Sequence, residues 1–135
     1  MSSTDPPFLP TGSLRPGAID LVVLGEMAFT GYCFTSSAHI APYLEPPRIG
    51  PTALFGRALA QRVQAHVIVG YPERPEEGSL PDARGFNSAA VISPSGEVVH
   101  NARKSFLFET DKAWAAQGTS RSLFVCNVTR SMFRV

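Results

Sequence analysis

The stretch DLVVLGEMAFTGYCF, residues 20–34, runs four apolar residues, Leu21 to Leu24, into Gly25 and at once into an acid, Glu26. An ionised carboxylate is costly to bury without a partner. Glu26 is therefore either a satisfied structural acid or part of a site that uses it. Later in the chain Asn87 opens the segment FNSAAVISPSGEVVHNARKS, and Arg103 and Lys104 come near its close. A carboxylate and an ammonium at the ends of neighbouring strands would converge in one crevice at the sheet edge, where open α/β sheets commonly hold their sites. Arg103 is expected to pair with an acid or with backbone, and Asn87 to support the strand start.

The two cysteines, Cys33 and Cys126, show neither metal-ligand spacing nor a secreted disulfide framework. They are expected to be free thiols in a reducing compartment, the cytoplasm first and the nucleus second. His39, His66 and His100 have no ligand spacing either, so each is expected to be a surface or satisfied core histidine.

The elements that must position these residues follow from local pattern. Residues 19–24, IDLVVL, are a continuous apolar run suited to a strand buried on both faces. Residues 36–51 are proline-rich and expected to be irregular. A helix begins near Pro51 or Thr52, since proline suits a first turn and threonine a cap. In TALFGRALAQRVQA, Phe55, Leu59 and Val63 recur at fourfold spacing with Leu54 and Ala58 beside them, which predicts one apolar stripe. HVIVGYP is a second short buried strand. PERPEEGSLPDARG, residues 72–85, reads as a polar surface loop in which Glu73, Glu76 and Glu77 are solvated. The hairpin around SPSG places Pro94 and Gly96 where a tight turn wants them. Phe108 and Trp114 are expected to pack, and Asp111 beside Lys112 to be a weak ion pair. Strand, helix, strand, hairpin is an α/β layer pattern in which helices cover a sheet.

Composition sets the class. A chain of 135 residues suffices for one modest domain. With 44% hydrophobic and 17% charged residues it is globular and not disordered. The net charge of +1 gives no electrostatic reason to expect nucleic acid or an anionic membrane as partner. No apolar run approaches a membrane span, and MSSTDPPFLPTGSLRPG lacks a signal pattern. The expected organisation is a flexible lead-in over 1–17, a domain over 18–118 and an atypical tail over 119–135.

The segments DLVVLGEMAFTGYCF, HVIVGYPER and FNSAAVISPSGEVVHNARKSFLFETDKAW together resemble the nitrilase superfamily of carbon–nitrogen hydrolases, with Gly25 where that family usually has proline. GYCFTSSAHIAPYLEP and KSFLFETDKAW are most similar to the fungal protein N-terminal asparagine amidohydrolases. The resemblance covers residues 18–118. It implies part of an α-β-β-α sandwich, without its first strand and helix and without its C-terminal half. It also implies a Glu–Lys–Cys site for hydrolysing an amide, the N-terminal Asn or Gln of proteins, with release of ammonia and no cofactor. Glu26 matches the general base and Lys104 the cation that stabilises the carbonyl oxyanion. Beside Lys104, the cost of burying Glu26 is offset. The family's nucleophile lies a few tens of residues after the lysine, near or past residue 135. Cys126, in SLFVCNVTR, is the candidate downstream of Lys104, although its spacing is short and Asn127 and Val128 follow it where the family has an acid nearby, so activity in this chain is expected to be impaired. Cys33 stands where the family commonly has asparagine. A second glutamate that family members carry finds no match, since Glu109 fits poorly and Gln117 is not an acid.

The alternatives are a non-catalytic remnant of this family, or an interaction module that associates with itself or with a full-length homologue through a sheet edge.

Overall fold

The computed structural model describes residues 15–80, 82 and 84–119. Within them a four-stranded sheet has the order β1-β2-β3-β4. The strands are β1 (Leu21–Val23), β2 (His66–Glu73), β3 (Phe86–Ile92) and β4 (Val98–Arg103). β1 lies parallel to β2, while β2, β3 and β4 pair antiparallel. A short helix α1 (Ser37–Ile40), a 3-10 turn at Ala41–Tyr43 and the longer helix α2 (Pro51–Val63) fill the crossover from β1 to β2. A parallel pair needs such a long connection, whereas the antiparallel β3–β4 pair closes through the short SPSG turn. In that turn Ser93 N–H donates to Glu97 O and Gly96 N–H to Ser93 O.

The helix starts where the sequence indicates, with Pro51 at its first position and Gly50 as cap. Its buried side differs from the expected stripe. Thr52, Ala53, Gly56, Leu59, Ala60 and Val63 face inward, while Leu54 is exposed, Ala58 is exposed and Phe55 is half-buried. Small residues make the contact because α2 lies close on the sheet. A Cβ built on Gly56 would come within 2.3 Å of Ile92 Cδ1. This face, with Val67, Val69, Tyr71, Ala90, Ile92 and Val98 of the sheet side, forms the main core. A second cluster gathers Met27, Phe34, Ile40, Leu44 and a fully buried Trp114.

Several other expectations are corrected. β1 is an edge strand, with Leu21 and Val23 exposed, because only β2 pairs with it and one of its faces has no covering layer among the described residues. Residues 36–43 are a capped helix and a 3-10 turn, not irregular chain; the Ser36 hydroxyl accepts from His39 N–H. Gly17, counted in the lead-in, donates to Val63 O at 2.8 Å. Glu73 is no solvated loop acid but the fully buried end of β2. Phe108 is exposed, and its backbone, not its ring, serves the fold. Among the described residues no helix is long and apolar enough to cross a membrane.

Candidate active site

Glu26 and Lys104 follow the two outer strands of the sheet, not neighbouring ones, yet they meet. After β1 the chain leaves the ladder and crosses over β2. Leu24 N–H still donates to Ile68 O at 2.8 Å, and Ala28 N–H donates to Gly70 O at 3.2 Å. Between them Glu26 rides directly above Gly70, where a Cβ would stand 2.8 Å from Glu26 Cα. The absence of a side chain at Gly70 is what lets the backbone pass this close. Met27, next in line, adopts a left-handed φ of 52° and buries its side chain. The crossing carries the carboxylate over the sheet toward β3 and β4.

There Glu26 Oε1 accepts from Lys104 Nζ at 2.8 Å and also from Asn87 Nδ2. Lys104 Nζ donates a second bond, 2.7 Å long, to Asp111 Oδ2. Asn87 Nδ2 reaches Asp111 Oδ1 at 3.3 Å, and Phe108 N–H donates to Asp111 Oδ2 at 2.9 Å. The Tyr32 ring centroid lies 5.9 Å from Lys104 Nζ. Lys104 is held in register by its own N–H, which donates to Asn87 O, and by Gly118 N–H, which donates to its carbonyl. The 3-10 turn Asp111–Ala113 fixes Asp111, with the buried Trp114 anchoring it from behind.

The burial pattern corrects one expectation. The Glu26 side chain is 43% exposed, and the fully buried carboxylate of the site is Asp111. Asp111 pairs with Lys104, while Lys112 turns away to Glu109. Burial alone would raise the Asp111 pKa; the Lys104 ammonium, the Phe108 N–H and the Tyr32 hydroxyl outweigh it and hold the carboxyl below its ordinary range. For Lys104 burial works against the charge, but the bonds to Asp111 and Glu26 win and raise its pKa. The ammonium is thus a fixed cation between two carboxylates. Among the described residues, both hydrogen bonds to Glu26 land on Oε1.

Glu26, Asn87 and Lys104 border an open cleft of about 320 Å³ floored by Leu24, Ile68, Gly70, Ala89 and Ala102. Such a site can accept a proton and stabilise a nearby oxyanion. Cys33 is an exposed free thiol just beyond Tyr32. Cys126 lies outside the described residues. No cluster of three or more His, Cys, Asp or Glu side chains among the described residues could hold a metal ion.

In the sequence Asp111 has no mark beyond its place beside Lys112. The chain from Lys104 to Thr110 is neither helix nor strand, so no regular period links Asp111 to Lys104. Asn87, read as strand support, also donates into the site.

The family model described as carbon-nitrogen hydrolase matches residues 13–127 of the chain. The protein N-terminal amidase of Saccharomyces cerevisiae is 36% identical over 95 residues, which is 70% of this chain and 20% of that protein. The protein N-terminal amidase of Schizosaccharomyces pombe is 35% identical over 111 residues, 81% of this chain and 38% of that protein. The crystal structure of an N-terminal amidase superposes with a TM-score of 0.67 at 32% identity, covering 73% of this chain and 22% of that one. N-terminal amidase has also been solved with Gln-Val and Asn-Glu peptides. The chain therefore spans well under half the length of these relatives, and its mixed sheet with covering helices is part of their fold.

Proposed function

The chain belongs to the carbon–nitrogen hydrolase family, and from that premise we propose that it acts as an amidase on the side-chain amide of N-terminal Asn or Gln in peptides. The observation that carries this reading is the 2.8 Å contact of Glu26 Oε1 with Lys104 Nζ at the border of an open cleft. Peptides beginning with Gln or Asn occupy the similar N-terminal amidase. Glu26 is the general base. Its carboxylate takes the proton of a cysteine thiol, the thiolate attacks the amide carbon, and the carbonyl oxygen becomes an oxyanion beside the Lys104 ammonium. Collapse expels ammonia with the proton returned by Glu26, leaving a thioester. Glu26 then deprotonates water, which attacks the thioester carbon and frees the acid and the thiol. Cys126 is the proposed nucleophile, with Cys33 as its competitor. The proposed setting is the cytoplasm or the nucleus, where thiols stay reduced.

The test is ammonia release from peptides that begin with Asn or Gln. Glu26→Ala and Lys104→Ala should each lower the rate by about 10²-fold or more. Unchanged turnover in either variant removes that residue from the mechanism. Cys126→Ser should abolish turnover and Cys33→Ser leave it; the reverse outcome exchanges the two thiols.

A further inference from the structure

We propose that Glu73 and Arg103, on the α2 side of the sheet, are positioning residues that clamp the strand register on which Asn87 and Lys104 present their side chains on the opposite face. The inference rests on the reading of Glu26 and Lys104 as a functional pair. Glu73 is 0% exposed, so its charge must be met within the protein. It is met completely. Oε1 accepts from Arg103 Nε at 2.9 Å and from Arg103 Nη2. Oε2 accepts from Ser88 Oγ at 2.6 Å and from Asn101 Nδ2 at 2.7 Å. Tyr71 OH donates to Asn101 Oδ1 at 2.8 Å, and the Arg103 guanidinium lies 4.0 Å from the Phe86 ring centroid. One carboxylate at the end of β2 therefore ties β3 and β4 together.

The partners sit at telling positions. Ser88 pairs with Arg103 across the β3–β4 ladder. On the next rung Lys104 N–H donates to Asn87 O. Successive side chains of a strand point to opposite faces. Ser88 and Arg103 thus reach down to Glu73, while Asn87 and Lys104 reach up to Glu26 and Asp111. A slip of one residue would exchange the two sets. Glu73 rewards only the register in which the ammonium faces the cleft. A pair with one buried and one part-exposed partner adds little net stability, so registry is the role its geometry supports. The raised pKa of Arg103, caused first by its bonds to Glu73, accords with a tight pair.

The chain offers its own probe, because Lys104 and Lys112 are its only lysines. Competitive acetylation of the folded full chain with acetic anhydride, from neutral pH upward, is read by mass spectrometry as the Lys104 to Lys112 ratio. Glu73→Gln keeps the side-chain shape and removes the charge, and Arg103, 38% exposed, can hydrate. The expected result is a rise of the ratio of about 5-fold, since each unit of lost pKa gives about tenfold more free amine. Leu59→Ala, in the core under α2, is the control for lost stability and should leave the ratio unmoved at temperatures well below its melt. An unchanged ratio in Glu73→Gln, or an equal rise in Leu59→Ala, overturns the clamp. If Glu73→Gln does not fold, Ser88→Ala keeps the ion pair and deletes one donor; a rise of about 2-fold supports the clamp and no rise overturns it. Glu26→Gln separates the two readings. A rise there without one in Glu73→Gln refutes the clamp alone, whereas no rise there refutes the Glu26–Lys104 pair itself.

Discussion

Replacing Gly70 by alanine tests how the acid is delivered. The added Cβ would sit 2.8 Å from Glu26 Cα, 2.9 Å from Gly25 O and 3.0 Å from Met27 N. All three are backbone atoms, which cannot rotate out of the way. β2 cannot yield downward, since Val69 and Tyr71 are packed in the core beneath it and both neighbours hold its ladder. Ordinary contact begins near 3.4 Å, so the Glu26 backbone must retreat by about 0.6 Å from its present 2.8 Å. A retreat along the Lys104 bond takes it from 2.8 Å to about 3.4 Å, beyond good hydrogen-bond length. Overpacking of this kind costs about 1–3 kcal/mol of stability. A misplacement of about 1 Å costs about 10²-fold in rate, so the smaller shift should cost about 10-fold. The assays are thermal melting, ammonia release and Lys104 acetylation. Gly25→Ala is the control, because a Cβ there meets nothing within 4 Å. If Gly70→Ala melts with Gly25→Ala and acetylates Lys104 no faster, the crossing is not pressed against β2 and the reasoning is wrong.

Asp111→Asn should destabilise the fold by about 1–3 kcal/mol, because a buried charge-assisted acceptor loses its charge; chemical denaturation reads it, and a change below about 0.5 kcal/mol would contradict the burial argument. Asp111, held below its ordinary 3.8, contributes stability that is present above that value and is lost as pH falls through its folded pKa. Lys104, held above its ordinary 10.5, contributes stability that is complete below that value and is lost as pH rises through its folded pKa. Melting temperature against pH should therefore bend downward below about 4 and above about 10.5 in the parent, and Lys104→Met should flatten the alkaline limb. Leu59→Ala should cost about 2–5 kcal/mol and Leu54→Ser within about 0.5 kcal/mol, although both are leucines of one helix; equal effects would refute the assigned inner face.

Much of this arrangement is readable from the residues. Pro51 announces α2, the SPSG turn announces the hairpin, and Glu26 and Lys104 stand out as an acid and a base at strand ends. The hidden parts are those where packing across the sheet decides. The inner face of α2 is hidden because Gly56 and Ala60 bury themselves by size, not by hydropathy. The exposure of β1 is hidden because an apolar run does not say whether both of its faces will be covered. Glu73 is hidden among the acids of PERPEE, yet strand alternation from Val67 through Val69 and Tyr71 places it on the core side. That signal, with Arg103 as the waiting partner, could have found it. The approach of Glu26 to Lys104 from opposite edges depends on a single bare α-carbon, and no spacing rule reports it.

Because the pair of charges joins residues 78 apart at the two outer margins of the sheet, it works as a cross-tie. Fraying at Leu21–Val23 then loosens the far margin as well. Amide exchange along β1 and along β4 should accelerate together when the tie is cut, as though two distant hems shared one stitch.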